Sequence, residues 1–382
     1  MAELPNMKAL VQPGRTLTDE ELRRYSRHTL IPDLDVIGQQ RIINAKVLVV
    51  GAGGLGSPTI MYLAAAGVGE IGIVDFDRVE ASNLQRQIIH EESDVGKNKA
   101  VSAKEKALAL NSNIKVTTFE TKLDESNVLA IFANYDLIID GTDNFATRYL
   151  INDAAAILGK PYIWGSIYQF DGQASVFWSV EGPCYRCLHP TPPPPGSVPS
   201  CAQGGVLGAL CAAIGAIQST EALKLITGIG TSLLGSLIVY DAKDASYAKV
   251  PITKSPNCPI CNGKQGNLLE SYEAFCSGKN GEISAAQLMA KFESESDFFL
   301  VDVREPFEHD EIAIPDSHLI PTGKFFDGSA FSQLPKDREI VLYCRSGIRS
   351  ADCLSMMARA GFSNASHLTG GIIEWIKLVE RL

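Results

Sequence analysis

KVLVVGAGGLG, residues 46–56, sets an apolar strand against a glycine-rich turn and the start of a helix. Gly51, Gly53 and Gly56 form G-x-G-x-x-G, where bare backbone can approach a phosphate and free helix N–H groups can bind it. The helix-forming run SPTIMYLAAAGVG (57–69) and a second strand, IGIVDFD (71–77), follow directly. Asp75 closes that strand about 20 residues beyond the glycines, the place where a carboxylate accepts hydrogen bonds from ribose hydroxyls. Strand, turn, helix and strand open a doubly wound α/β sheet, and the pair of features favours an adenine nucleotide. The glycines alone also fit an ordinary tight strand-to-helix turn.

Working outward, the alternation continues. It predicts a helix near 97–111, a strand near 114–119, a helix near 125–133, the strand YDLIIDGTDN (135–144) and a helix from Thr147. PYIWGSIYQFDGQASVFW (161–178) supplies later strands, some of them antiparallel. TPPPPGSVPS (191–200) fits neither a helix nor a central strand and reads as a long mobile connection. On the N-terminal side TDEELRRYSRHTL (18–30) is a charged helical stretch with Thr16 or Thr18 as N-cap, and a second amphipathic piece runs through Arg41. Periodicity lapses at NGKQGNLLES (262–271) and resumes as a second α/β pattern. That pattern has a helix near 284–293, strands FFLVDVR (298–304) and EIVLYC (339–344), a helix from Gly347 to Ala360 and a terminal helix from Gly371. The expected domains are 1–265 and 276–382, joined by a linker at 266–275.

Composition agrees with two compact domains in 382 residues. The formal charge of −10 is shared equally, because residues 276–382 carry 11 Lys/Arg and 16 Asp/Glu. No basic face emerges, which argues against nucleic acid as a partner. The N-terminus lacks the pattern of a secretory signal, so a cytoplasmic location is expected. The most apolar segment, 204–226, contains Glu221 and Lys224 and is rich in Gly and Ala, so it reads as a buried helix rather than a membrane span.

Nine cysteines without a leader point to metal binding or catalysis rather than to disulfides. Cys184-x-x-Cys187 and Cys258-x-x-Cys261 supply four soft ligands, the set that closes a tetrahedral structural zinc site. A redox role for either pair is the alternative, weakened because neither follows the first strand of a thioredoxin-like pattern. Cys201 precedes an expected helix whose N-terminus would lower a thiol's pKa, and it reads equally as a plain loop cysteine. Cys211 and Cys353 fall on apolar helical faces as core thiols.

Between these features stand Asn83, Arg86, Lys99 and Asp143, polar groups at expected strand or loop ends, where open α/β sheets bind ligands. Each also has a plain reading: Arg86 and Lys99 as solvated charges, Asp143 as a turn or cap residue. A nicotinamide-dependent oxidoreductase is the obvious rival, but hydride transfer needs few cations. Attack of a carboxylate on an α-phosphate brings two anions together and calls for positive charge and magnesium.

RYSRHTL (24–30), GAGGLG (51–56), DFDRVEASNLQRQ (75–87), VGKNK (95–99), GTDN (141–144) and GPCYRCLHP (182–190) resemble, in order, the MoeB/ThiF family, bacterial relatives of the ubiquitin-activating enzymes. The resemblance covers about residues 18–262. It implies a Rossmann-like adenylating domain in which Gly54 and Asp75 contact ATP and Asn83, Arg86 and Lys99 hold its phosphates. Ser82, Leu84, Gln85 and Asn144 complete the nucleotide-binding set, and Asp143 helps to bind Mg2+. Arg27 would reach a neighbouring subunit's active site, which implies a homodimer; by composition alone it is a charge on an amphipathic helix. In some relatives the cysteine corresponding to Cys201 links covalently to the carrier protein, and in others it is dispensable.

Cys344 ends the strand EIVLY and opens the loop CRSGIR, whose backbone N–H groups would wrap a thiolate or persulfide, with Arg345 and Arg349 adding positive charge. A phosphatase loop normally has one more residue between cysteine and arginine, so the shorter loop favours sulfur. With LVDVRE (300–305) and LTGGIIEW (368–375), residues 276–382 resemble a smaller α/β rhodanese-like domain. One departure stands out: where such domains carry a glycine-histidine before isoleucine-proline, in a turn that reads about GHIPGA, this chain has IAIPDSH at 312–318.

The combined expectation is ATP-dependent adenylation of the C-terminal carboxylate of a small ubiquitin-like sulfur carrier ending in Gly-Gly. Sulfur transfer from a Cys344 persulfide follows, loaded by thiosulfate or a cysteine desulfurase. Molybdopterin or related sulfur chemistry is the expected setting. A non-catalytic module that only docks the carrier is a further alternative.

Overall fold

The computed structural model describes residues 7–193, 204–261, 267–277, 281–294, 296–335, 338–360, 362 and 364–380. It divides into two compact units, Met1–Tyr272 and Glu273–Leu382.

The first unit is built on eight strands: β1 (Lys46–Val50), β2 (Glu70–Val74), β3 (Lys115–Phe119), β4 (Leu137–Asp140), β5 (Tyr162–Tyr168), β6 (Asp171–Phe177), β7 (Ser236–Asp241) and β8 (Ser246–Pro251). Their order is β3-β2-β1-β4-β5-β6-β7-β8. The first five run parallel and the last three alternate antiparallel. Val47, Leu48 and Val49 are fully buried, as an unbroken apolar run requires when helices cover both faces of a parallel sheet. Because β2 lies on one side of β1 and β4 on the other, the chain reverses direction across the sheet there. The carboxyl ends of β1 and β4 therefore open the crevice in which such sheets bind ligands.

The charged N-terminal stretch forms two short helices rather than one, Asp19–Arg24 and Ser26–Thr29. Thr18 caps the first in a reciprocal box with Glu21. The break falls at Tyr25, whose ring is buried and whose hydroxyl accepts a hydrogen bond from Asn111 Nδ2 at 2.9 Å. The helix Gly208–Thr227 is long and apolar enough to cross a membrane, yet Leu210, Cys211, Ile214, Leu225 and Ile226 are buried in the unit's core. Its small residues have a packing cause. A Cβ on Gly215 would lie 2.5 Å from Pro58 Cγ, so only glycine lets this helix rest on the helix Gly56–Ala66.

The second unit holds a parallel sheet of order β11-β10-β12-β13-β9, from β9 (Glu282–Ile283), β10 (Phe298–Asp302), β11 (His318–Leu319), β12 (Glu339–Tyr343) and β13 (Ala365–Leu368). Period-two alternation along β12 sends Ile340 and Leu342 into one apolar cluster and Val341 and Tyr343 into another, so each sheet face has its own core.

The departure at 312–318 has a structural answer. Asp316 adopts φ +58°, so it takes the left-handed conformation for which the usual glycine of that turn is suited. Before the turn, His309 Nδ1 lies 2.9 Å from Asp302 Oδ2. Arg304 grips the same buried carboxylate at 2.7–3.1 Å and donates to Ile312 O at 2.6 Å, fixing the turn.

Candidate functional site

The glycine turn is locked by its own backbone. Gly51 takes φ +94°, and a Cβ on Gly56 would overlap Gly51 O. Asp75 braces the turn from the end of β2: its Oδ2 accepts from Ala52 N at 2.8 Å and its Oδ1 from Asp77 N at 2.9 Å. Burial pushes the Asp75 carboxyl up, against the pull of those two N–H groups. Gly141, after β4, lies directly against Gly51, so the two loops meet at the crevice.

The segment after β2 carries the basic candidates over the turn. Arg86 Cγ comes within 3.8 Å of where a Cβ on Gly54 would stand, and Arg86 Nη1 donates to Ser82 O at 3.2 Å. Asn83 is buried and pairs with Glu80 in a short capping box, which fixes the segment; Leu84 is half-buried, and Gln85 lies exposed beside Gly208. Lys99 begins the helix Lys99–Leu110, capped by Asn98. Its side chain is 9% exposed and Nζ pairs with Asp77 Oδ2 at 3.0 Å, a carboxylate that is itself half exposed. Asp143 and Asn144 are exposed, and Asn144 Oδ1 caps the helix Phe145–Ile157 by accepting from Thr147 N at 2.8 Å.

Beneath this cluster lie groups that motif reading missed. Asp140 is fully buried; its Oδ1 accepts from Thr142 N and Oγ1 at 2.9 and 2.7 Å, while Oδ2 has no hydrogen-bond partner among the described residues. Burial pushes its carboxyl up, and Arg148 pulls it down. Arg148 also donates to Thr142 O and Ser166 Oγ at 3.2 Å each, so it holds the GTDN loop against β5. His90 bridges the glycine turn to the Lys99 helix, with Nε2 3.0 Å from Ala52 O and Nδ1 2.8 Å from Ser102 Oγ.

The two C-x-x-C pairs meet, all four Sγ lying within 4.8 Å of one another. Measured separations are 3.5 Å for Cys184–Cys258, 3.5 Å for Cys187–Cys261 and 4.0 Å for Cys184–Cys187. A tetrahedron with metal–sulfur bonds of about 2.3 Å has edges of about 3.8 Å, so the donor set fits a thiolate-bound metal. Arg186, between the first two cysteines, grips the buried Asp153 with Nε and Nη2, both at 2.8 Å. Tyr272 donates its hydroxyl to Asp153 Oδ2 at 2.7 Å, and burial pushes that hydroxyl's pKa up. Arg186→Ala leaves the Asp153 carboxylate stranded, so the first unit should lose about 3–5 kcal/mol. Denaturant unfolding measures this, and a loss below about 1 kcal/mol would mean the pair is no more than a surface-type contact.

In the second unit Cys344 is 1% exposed at the end of β12, and Gly347 N donates to its Sγ at 3.1 Å. Ser350 Oγ lies 3.5 Å from the same sulfur. The expected positive charge is only partly free: Arg345 is exposed, whereas Arg349 makes a two-point pair with Glu308 at 2.7 Å each. Cys211 and Cys353 are buried, as their helical positions imply.

The phosphate-side residues thus gather at one sheet edge, the four metal-ligand cysteines at another point of the first unit, and Cys344 in its own loop. Arg27 stands exposed on the helix Ser26–Thr29, with no hydrogen bond to the glycine-turn cluster among the described residues. Cys201 and most of the proline-rich stretch lie outside the described residues.

The ThiF family matches residues 25–260 and the rhodanese-like domain residues 284–378. A Mycobacterium tuberculosis protein named probable adenylyltransferase/sulfurtransferase MoeZ is 52% identical over 98% of both chains. A Thermus thermophilus sulfur carrier protein adenylyltransferase is 50% identical, covering 68% of this chain and 98% of its own. Among solved structures, E. coli MccB with MccA-N7isoASN shares the fold at a TM-score of 0.57 and 24% identity, covering 62% of this chain and 74% of that one.

Proposed function

This chain belongs to the ThiF family and is an adenylyltransferase and sulfurtransferase, and we propose that it activates the C-terminal glycine carboxylate of a small ubiquitin-fold sulfur carrier and then delivers sulfur from a persulfide on Cys344. The observation that carries the reading is the union in one chain of two devices. One is a glycine turn flanked by Arg86, Lys99 and Asp143, and the other is a thiol wrapped by backbone N–H.

A carboxylate resists attack by sulfur because its leaving group would be oxide. In the first unit the carrier's carboxylate oxygen attacks the α-phosphorus of ATP and pyrophosphate leaves. Arg86 and Lys99 offset the charge that accumulates on the phosphates, Asp75 receives the ribose hydroxyls, and Asn83 holds the basic segment in place. Exposed Asp143 is the carboxylate we assign to Mg2+, whose chemistry is to neutralise phosphate charge. In the second step the outer sulfur of the Cys344 persulfide attacks the acyl carbonyl and AMP leaves, forming an acyl disulfide. An external thiol then reduces that disulfide and frees the carrier thiocarboxylate.

The name of the Thermus relative supports a sulfur carrier as substrate. Thiosulfate or a cysteine desulfurase is the donor this chemistry accepts, and synthesis of molybdopterin or a related sulfur-bearing cofactor is the setting we assign. Zinc is the metal we assign to Cys184, Cys187, Cys258 and Cys261, in a structural role, since four thiolates leave no open coordination position. Exposed Leu30, Ile31, Val36 and Ile37 follow Arg27 in sequence and support pairing with a second copy of the chain.

The test supplies the full chain with ATP, labelled pyrophosphate and a carrier ending in Gly-Gly, then adds thiosulfate and a thiol. Carrier-dependent pyrophosphate exchange and a carrier mass in which one oxygen is replaced by sulfur are expected. Absence of exchange together with tight NAD binding would sink the proposal in favour of an oxidoreductase.

A further inference from the structure

Behind the Cys344 loop runs a row of polar groups, buried at Ser350 and His367 and reaching the surface at Glu282, that simple sulfur carriage does not require. Ser350 Oγ is 3.5 Å from Cys344 Sγ and 3.3 Å from His367 Nδ1, and His367 Nε2 is 3.8 Å from Glu282 Oε1. Four elements place them. Cys344 follows β12, Ser350 sits in the first turn of the helix Ile348–Arg359, His367 lies on β13 beside β12, and Glu282 faces His367 in register on β9. Ser350 is 0% and His367 5% exposed. Burying a hydroxyl and an imidazole between two apolar clusters is costly unless they pair, and here they pair with each other in a line that ends on the sulfur.

We propose that Ser350, His367 and Glu282 are positioning residues that draw the proton from Cys344 and leave a thiolate in the loop, ready to be loaded with sulfur. The inference rests on Cys344 being the sulfur carrier. The thiol proton passes to Ser350 Oγ while the Ser350 proton passes to His367 Nδ1. The imidazolium so formed directs its Nε2–H toward Glu282, and the Ser350 hydroxyl now donates back to the thiolate, beside Gly347 N–H. The thiolate electron pair then attacks the outer sulfur of thiosulfate. The sulfur–sulfur bond of the donor breaks, its electrons leave with sulfite, and Cys344 keeps the transferred sulfur as a persulfide anion. Ser350 Oγ also lies 3.1 Å from Gly347 O, an alternative acceptor on which its proton rests when the row is idle.

Burial opposes the imidazolium that the relay forms on His367, and Glu282 is the group that favours it. Burial is the larger effect and pulls the pKa down, which leaves a neutral imidazole as base near neutral pH. The groups around it are Glu282 on β9, Ser350 on the helix, Cys344 in the loop and apolar Leu342 on β12. Only Glu282 among these is a fixed charge.

The experiment follows alkylation of Cys344 by iodoacetamide against pH in the full chain, read by peptide mass spectrometry, with persulfide formation from thiosulfate measured in parallel. His367→Gln and Ser350→Ala should slow alkylation of Cys344 at neutral pH by about tenfold or more. Ser350→Thr keeps the hydroxyl and should restore the wild-type profile; Glu282→Gln, on an exposed edge strand, should slow alkylation by less. All profiles should converge at alkaline pH, where the thiol ionises unaided. Superimposable profiles for His367→Gln, Ser350→Ala and Glu282→Gln overturn the relay. Failure of the wild-type chain to gain sulfur at Cys344 overturns the carrier reading instead, because the alkylation profile does not depend on a donor.

Discussion

Cys344→Ala should reduce sulfur transfer by about 10³-fold or more while ATP–pyrophosphate exchange continues at the wild-type rate. The substitution removes one sulfur atom and leaves the loop's frame, since Cys344 O still accepts from Ile372 N at 2.8 Å. The two units have separate apolar cores, so the substitution leaves the packing of the first unit's core unchanged. Cys353 is a poor substitute: it is fully buried, and burial pushes its thiol up to about 12, which keeps it protonated. Labelled thiosulfate and pyrophosphate exchange, measured on one preparation, read the two activities. Sulfur transfer surviving at the wild-type rate would place the carrier on another cysteine. Loss of both activities would contradict the division of labour between the units.

For Lys99→Ala the expectation is reversed: pyrophosphate exchange falls by about 10²–10³ while persulfide loading of Cys344 is untouched. Lys99 supplies positive charge from a position that is nearly enclosed, where charge counts for more than it would in water. Its only ion-pair partner among the described residues, Asp77, is half exposed and returns to solvent without strain when the lysine is removed. A thermal melt should therefore change little, which separates a catalytic loss from a folding loss. Lys99→Arg should recover part of the rate, since charge is kept while the point-like ammonium is lost. An unchanged exchange rate would reduce Lys99 to a partner of Asp77.

The alternation of strand and helix and the glycine turn were legible because strand and helix periods are local, and because G-x-G-x-x-G fixes a strand on one side and a helix on the other; the order of the strands in the sheet was not. The cysteine cluster was legible from spacing, although residues 187 and 258 meet only through the fold. Less legible were buried partners that carry no motif. Arg186 hid between two cysteines, Asp140 three residues before the more conspicuous Asp143, and His367 within a strand whose period marks only burial. Nothing in a linear pattern tells which buried polar group will face which other across a sheet. The same holds near 312–318, where the sequence shows a missing histidine and only the fold shows that His309 and Arg304 meet on Asp302. Pairing of Arg349 with Glu308 was equally out of reach, because the two lie 41 residues apart.

The meeting of Cys184 and Cys187 with Cys258 and Cys261 imposes an order in time as well as in space. During synthesis the first pair emerges when six of the sheet's eight strands have been made, and its thiols wait while β7 and β8 are made. The second pair is among the last residues of the first unit to leave the ribosome. A metal held by all four can therefore be sealed in only when the unit's whole sheet has been delivered, and its capture marks a finished adenylating unit, before the sulfur-handling unit has been made.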